Sequence, residues 1–539
     1  MAEASAKAAL TVSERSLPFT DELEENKSSN SLSALSAFMP VNSNRPVSPR
    51  FCQADTNNLA HSVSMKSMKS PSPLLRFKSR EEEEPTLIVD GLGKLDLHTV
   101  HHLREWINDE SLISPLVLAY DKVSSENEEE ISEIDTTISF MVPGTVVLKN
   151  VAFRDLNGIP PVVAGPFYLR AGPFREIFFE PTKVKACILT CGGICPGMNN
   201  VVREVAMTLN YSYGVHNIFG IKYGYRGFYD PKIPTIRLDP HKVSGIHHDG
   251  GTYLGSSRGG FDKELIMSAI IERGFNQVYV IGGDGTHKGA QSLFEETRKR
   301  GLKIVVAGIP KTIDNDIGVI DRSFGFDTAV EEATRAIQSA HIEAKCAPNG
   351  ICLVRLMGRS AGFIAMYASL ASRDVNACLI PEAKFRLDPL IKYIESRVKT
   401  RGHAVIVVAE GAGQELMAGT GEQDASGNTR LADIGAFLKD QIAAYFKRID
   451  LECNVRLLDP MYLIRATPAN ASDSIYCSRL GQSAVHGAMA GYTGFSTGLV
   501  NSRVVYIPLK EIVSLPSRVD PSGHMWQRLI TSTGQPHFI

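Results

Sequence analysis

A chain of 539 residues with 43% hydrophobic and 22% charged side chains has room for two or three domains, and this ordinary composition excludes fibrous and wholly disordered classes. Its formal net charge of -2 provides no global basic field, so nucleic acid is not an expected partner and any anionic ligand must meet local cations. The nine cysteines form no CxxC pair, which suits a reducing compartment rather than a disulfide scaffold, and no apolar run approaches the ~20 residues of a membrane span. A soluble intracellular protein without a membrane partner is expected.

Residues 1–85 are rich in Ser, Asn and Pro and read as a disordered tail. The acidic cluster Asp21 to Glu25 argues against a cleaved organelle address, because transit peptides are poor in acidic residues. Residues 86–180 form an N-terminal extension of short pieces interrupted by an acidic run, Glu126 to Glu133, and carry no recognisable chemistry. From Val184 the pattern changes. A strand-like run to Thr190 leads into Cys191-Gly-Gly-Ile-Cys-Pro-Gly197 and a helical pattern from about Met198 to Leu209. Strand, glycine loop and helix start bring free backbone N–H groups close to phosphate oxygens, although a plain tight turn has the same composition. Cys187, Cys191 and Cys195 recur every fourth residue. They lack the close pairing of a metal site, and Cys191 with Cys195 could form a redox-sensitive pair.

Gly250 to Gly260 presents one cation, Arg258, among glycines, a placement suited to neutralising a transferring phosphate. Gln277 to Ile281 is a buried strand running into Gly282-Gly-Asp-Gly-Thr286, with a helix expected from about Lys288; glycines admit a polyphosphate and Asp284 can reach its magnesium ion. The strand Ile304 to Ala307 then gives way to Gly308-Ile-Pro-Lys-Thr-Ile-Asp-Asn-Asp-Ile317. Of its two alternating carboxylates, Asp314 and Asp316, one can hold a cation while the other takes a proton, or both can belong to an Asx-rich turn. Ile351 to Met357 is a strand ending at Gly358-Arg359, and His403 to Ala409 one ending at Glu410. Glu415 to Thr429 reads as a surface loop, and Arg456 and Arg465 flank Met461-Tyr462-Leu463-Ile464. At least five strand–loop–helix units between 184 and 480 imply an α/β protein of two Rossmann-like lobes with mostly parallel sheets and an active-site cleft between them, preceded by the disordered N-terminal tail.

Taken in this order, Gly192-Gly193 with Pro196-Gly197, Gly282 to Thr286, Pro310-Lys-Thr-Ile-Asp-Asn-Asp316 and Met357-Gly-Arg359 give a sequence that resembles the phosphofructokinase family, in particular its plant- and protist-type ATP-dependent branch. The resemblance covers roughly residues 181 to 500. It implies ATP-dependent phosphorylation of D-fructose 6-phosphate to fructose 1,6-bisphosphate in glycolysis, with Mg2+ as cofactor and a homo-oligomer, dimer or tetramer. Lobes would fall at 181–340 for the nucleotide, completed by about 463–500, and at 341–462 for the sugar phosphate, with 501–539 as a C-terminal extension.

The same resemblance assigns ATP contacts to Gly193, Arg258, Gly259, Gly283, Asp284, Gly285 and Thr286, and metal contacts to Asp284 and Asp316. Asp314 would be the catalytic base, with Arg258 and Arg359 neutralising charge. Substrate contacts would come from Thr312, Ile313, Asp314, Met357, Gly358, Arg359, Glu410, Tyr462, Leu463, Ile464 and Arg465, and from Arg456 lent by a neighbouring subunit. Gly285 and Lys311 sit at the positions that sort ATP users from pyrophosphate users; glycine at 285 leaves room for ATP. Two departures stand out: Gly350 replaces a subunit-bridging arginine of the bacterial enzymes and Tyr462 replaces their histidine, so bacterial-style allosteric control is not implied. Pyrophosphate dependence and a catalytically silent regulatory subunit are the alternatives, and the compartment is expected to be the cytoplasm, with the plastid stroma as alternative.

Overall fold

Side chains on a β-strand alternate between faces, so a strand buried on both sides reads as a continuous apolar run. The chain carries several such runs. The computed structural model describes residues 86–89, 93–98, 100–117, 140–149, 166–417, 430–514 and 516–538. The expected tail, the acidic run Glu126 to Glu133 and most of the loop expected at Glu415 to Thr429 lie outside the described residues.

From N- to C-terminus, β1 (Phe167–Arg170), β2 (Lys185–Thr190), β3 (Asn217–Ile221), β4 (Gln277–Gly282) and β5 (Val305–Pro310) enter a large sheet. Next, β6 (Gly350–Leu356), β7 (Ala377–Leu379), β8 (His403–Ala409) and β9 (Asn454–Leu458) form a small one, after which β10 (Phe495–Val500) and β11 (Arg503–Pro508) return to the first. In the large sheet β3, β2, β4, β5 and β10 lie side by side and parallel, while β11 pairs antiparallel with both β10 and β1. The small sheet, in the order β7, β8, β6, β9, is parallel throughout.

Alternation shows directly in the packing. Ala186, Ile188, Tyr279, Ile281, Val305, Ala307 and Ile309 face one core of the large sheet, against helices α1 (Met198–Met207) and, later in the chain, Ala471–Ala490. Cys187, Leu189, Val278, Val280 and Val306 face the other, against α2 (Asp284–Lys299). The small sheet repeats the pattern, with Val354, Leu356, Val405 and Val407 on the side of α3 (Phe326–Cys346) and α4 (Phe363–Ser372), and Leu353, Ile406 and Val408 on the reverse. Each fully buried Val, Leu or Ile contributes about 1.5–3 kcal/mol, so both sheets are rigid platforms.

Strand register brings the functional loops together. Ile281 pairs with Thr190 and Gly282 with Pro310, so the loops after β2, β4 and β5 leave the same carboxyl edge. Leu356 likewise pairs with Ala409, which sends Met357 and Glu410 out side by side from the small sheet. Because β3 lies on one side of β2 and β4 on the other, strand order reverses there, and ligands of open α/β sheets bind at such a switch point.

Three boundaries differ from the expectation. Helix α2 starts at Asp284 instead of about Lys288, because extended Gly283 serves as its N-cap and its carbonyl accepts from Thr286 N at 3.0 Å. Strand β5 runs on to Pro310, three residues past Ala307, since Gly308, Ile309 and Pro310 are buried between β4 and β10. Helix α1 ends at Met207 and passes into a π-turn, Thr208–Ser212. Gly350 has a steric reason: a Cβ there would lie 2.1 Å from the Ala344 carbonyl oxygen near the end of α3.

Candidate active site

At the edge of the large sheet, the loop after β2 is tied to the Gly250 to Gly260 segment. Gly192 N donates to Ser257 O at 3.0 Å, Ser256 Oγ to Gly192 O at 2.5 Å and Thr190 Oγ1 to Gly255 O at 2.7 Å. The tie sets Arg258 against the glycine loop: its Nη2 lies 3.9 Å from where a Cβ on Gly193 would sit, and Lys311 Nζ lies 3.2 Å from the equivalent point on Gly192. Lys311 is only 8% exposed. Burial, and then Arg258, press its pKa down, while Asp314 and the neighbouring cysteines pull it up. Two cations behind the bare backbone of Gly192 and Gly193 are an arrangement that suits phosphate oxygens. Beside them Gly283 caps α2, whose first turn holds Asp284, Gly285 and Thr286; Thr286 N is taken by Gly283 O, and the N–H groups of Asp284 and Gly285, which precede the helix's own hydrogen bonds, can meet an anion. A Cβ on Gly285 would meet nothing within 4 Å, so the space beside it is open.

The loop after β5 carries the carboxylates. Thr312 Oγ1 donates to Asp316 Oδ1 at 2.7 Å and accepts from Asp314 N at 3.2 Å. Asn315 takes a left-handed conformation with φ of 57°, held by its Oδ1, which accepts from Ser323 N at 2.8 Å. Ile313 packs against cores of both sheets, which places this loop at their junction. Asp314 is half-buried there, and its Oδ1, itself shielded from solvent, has no hydrogen-bond partner. Burial first, then the charges of Asp316 and Glu410, push its pKa up to about 7, against the lowering pull of the Arg359 backbone N–H and Lys311. Asp284 is also raised, by burial and by Asp316, with Lys288 and Lys311 opposing. Three carboxylates, Asp284, Asp314 and Asp316, thus share one field.

The small sheet supplies the opposite wall. Gly358 to Arg359 follow β6 and Glu410 follows β8; Gly411 must be glycine, since a Cβ would lie 1.9 Å from the Arg359 carbonyl oxygen. Burial raises the Glu410 pKa, while Arg359, Arg355 and Arg465 lower it, so these cations surround one carboxylate. Arg355 is itself held by Asp433 at 2.5 Å and by Asp459. Arg465, on the short helix α5 (Met461–Ala466), stacks over Tyr462 at 4.5 Å.

The named residues do not all converge. Arg456, on β9, pairs with Glu343 of α3 and with Asn454. Tyr462 and Leu463 are 71% and 75% exposed, whereas Ile464 turns inward at 1% and packs in the core beside Leu356, leaving its side chain no face for a ligand. Met357 is buried in the same core. Cys191 and Cys195 are free thiols and buried; burial pushes Cys191 up to about 12 and raises Cys195 as well, so neither is a reactive thiolate.

Other positioning residues carry no sequence signal of their own. His287, buried in α2, lies 3.2 Å from Gly283 O through Nδ1 and 3.0 Å from Ser496 Oγ through Nε2, fixing the glycine turn to β10. Asp473, in the first turn of α6 (Ala471–Ala490), accepts from Gly325 N at 2.8 Å, Thr328 N at 2.7 Å and Thr328 Oγ1 at 2.6 Å. Glu382 accepts from Gly362 N at 3.0 Å and Val519 N at 2.7 Å. Asn470, three residues before Asp473, is the cap of α6 and is the legible sign that a helix starts there.

Comparison with known proteins agrees with this arrangement. A family model described as phosphofructokinase matches residues 185–488. The chain is 56% identical over 458 residues to ATP-dependent 6-phosphofructokinase 7 of Arabidopsis thaliana, covering 84% of this chain and 91% of that one. It is 53% identical over 383 residues to the chloroplastic ATP-dependent 6-phosphofructokinase 4 of the same plant, covering 70% and 72%. In fold it matches a crystal structure of pyrophosphate-dependent phosphofructokinase from Marinobacter aquaeolei, with a TM-score of 0.54, 19% identity and coverage of 65% of this chain and 91% of that one. With its motifs, its paired α/β sheets and these relatives in agreement, the chain belongs to the phosphofructokinase family.

Proposed function

We propose that the chain transfers the terminal phosphoryl group of ATP to the 1-hydroxyl of D-fructose 6-phosphate, forming fructose 1,6-bisphosphate. The observation that carries this reading is Asp314 Oδ1, a buried carboxylate oxygen without a partner at the junction of the two sheets. An unpartnered buried acceptor costs about 1–3 kcal/mol or more, a cost a site bears when a substrate donor arrives there. Asp314 takes the hydroxyl proton. Arg258 and Lys311, behind Gly192 and Gly193, face the donor phosphates, and Arg359 opposes the charge that develops on the group in transit. Glu410, Arg465 and Tyr462 receive the acceptor sugar and its 6-phosphate. The large sheet then serves the nucleotide and the small sheet the sugar phosphate.

Among the described residues no three His, Cys, Asp or Glu side chains gather as a self-sufficient metal site. The pair Asp284 and Asp316, close enough for one to raise the other's pKa, fits Mg2+, which takes one or two carboxylates and fills its remaining positions with phosphate and water. When bound it would neutralise phosphate charge during transfer. The open space beside Gly285 favours ATP over pyrophosphate as donor. Tyr462, Leu463 and Leu458 leave apolar area exposed that a second copy of the chain would cover, which supports a homo-oligomer. Among the described residues no helix is long and apolar enough to cross a membrane; a cytoplasmic location is proposed, with the plastid stroma as the alternative that the chloroplastic relative raises.

Replacing Asp314 by Ala tests the reading. Turnover should fall by about 10²–10⁴-fold, the usual contribution of a general base, with ATP affinity little changed. Near-normal turnover in a folded Asp314→Ala protein would remove the proposal.

A further inference from the structure

A second cation cluster lies on the antiparallel side of the large sheet. Arg170 ends β1, Arg503 begins β11, and Arg479 and His486 lie on α6; with Gln482 and Ser483 they line a cavity of about 210 Å³. Their convergence follows from register and helix geometry. Arg170 pairs with Val505, two residues from Arg503, while Arg479 and His486 are seven residues apart, about two turns on one face of α6.

No carboxylate lines this cavity. Among the described residues Arg170 and Arg503 have no acidic partner, and Arg479 makes one hydrogen bond, to Ser502 O at 3.3 Å. Glu204, which Gln482 reaches at 3.2 Å, is already held by Arg203 at 2.5 Å. The cavity floor adds a directed donor. His486 Nδ1 lies 2.8 Å from the hydroxyl of buried Tyr213, which has no other partner among the described residues; with the phenol donating, its one way to place its proton there, the ring proton goes to Nε2. Nε2 has no partner among the described residues either, and burial holds the ring neutral by pushing its pKa down to about 4. Three guanidinium groups and an N–H gathered without a counter-charge match a tetrahedral oxyanion, which can accept from several forks at once.

We propose that this cavity binds a phosphate dianion, either inorganic phosphate or a small phosphate monoester, at a site sharing no residue with the Asp314 centre. Calorimetric titration of the full chain with inorganic phosphate, with ADP, Mg2+ and fructose 6-phosphate saturating, should show one site. Arg479→Ala/Arg503→Ala, two exposed positions, should weaken it by about tenfold or more and leave phosphate-free turnover unchanged. Glycerol 3-phosphate as titrant distinguishes the sources: tighter binding than phosphate assigns an ester, equal or weaker binding the free ion. Binding that the double variant retains, or that is lost only in Arg465→Ala, assigns the anion to the active site and overturns the proposal, as does the absence of any binding.

Discussion

Among single residues, the proposed chemistry turns on Asp314 and Gly285. Asp314 is legible because two carboxylates alternate after an apolar strand, but its burial, its unpartnered Oδ1 and its raised pKa depend on Asp316, Glu410 and Arg359, the last two more than forty residues away in sequence. Gly285 gives a direct test of donor choice. Because its Cβ direction is open, Gly285→Asp should fold normally, yet place a carboxylate where ATP phosphates pass. At ~4 Å and an effective dielectric near 20, like charges repel by about 4 kcal/mol, so kcat/KM for ATP is expected to drop by about 10²-fold or more. Unchanged kinetics with ATP would show that glycine at 285 has no part in donor choice. Lys311 is readable as a residue type only; that it is buried and faces Gly192 comes from the chain folding back under the loop. Arg456 pairs with Glu343 and Ile464 turns into the core, placements that strand and helix periodicity set and that motif position does not show.

Elements are most accurately legible where burial is two-sided. The strands β2, β4, β6 and β8 lie within a residue of the apolar runs that announce them, because a parallel strand covered on both faces tolerates little else. The start of α2 is not, since Gly283-Asp-Gly-Thr has turn composition and becomes helical only where tertiary contacts, among them the bonds of His287, hold it. The link from α6 to α3 is equally hidden: Asp473 and Thr328 are 145 residues apart. That link positions the start of α3, which directly follows the Asp314 loop and Ser323, the partner of Asn315. Asp473→Ala would leave two buried N–H donors and a hydroxyl unpaired, at about 1–3 kcal/mol each. A lowered melting temperature together with reduced kcat is expected, whereas Asp473→Asn, which keeps an acceptor, should recover part of both. Thermal melts and steady-state kinetics on the two variants check this.

For the molecule as a whole, two buried histidines couple folding to pH. Burial presses His287 and His486 from 6.5 to about 4 in the folded chain. Between those values the unfolded chain binds protons that the folded chain does not, so stability is full above about pH 6.5 and declines as pH falls towards 4, by up to about 3 kcal/mol for each ring. Asp314, raised to about 7 in the folded chain, works in the opposite direction over the same range, so the histidine contribution is read by comparison: on going from pH 7.5 to pH 5 the denaturant midpoint of His486→Gln should be less lowered, or more raised, than that of the parent chain; identical slopes would mean this ring titrates normally. On the same scale, the proposed function makes the two sheets, the loops at their carboxyl edges and the cations around Asp314 one phosphoryl-transfer centre. Its most direct test is the initial rate of fructose 1,6-bisphosphate formation by the purified full chain, with Mg2+ and fructose 6-phosphate, when the donor is ATP and when it is pyrophosphate. Turnover with ATP and little or none with pyrophosphate is the expected result; a chain that turns over only pyrophosphate, or neither donor, contradicts it.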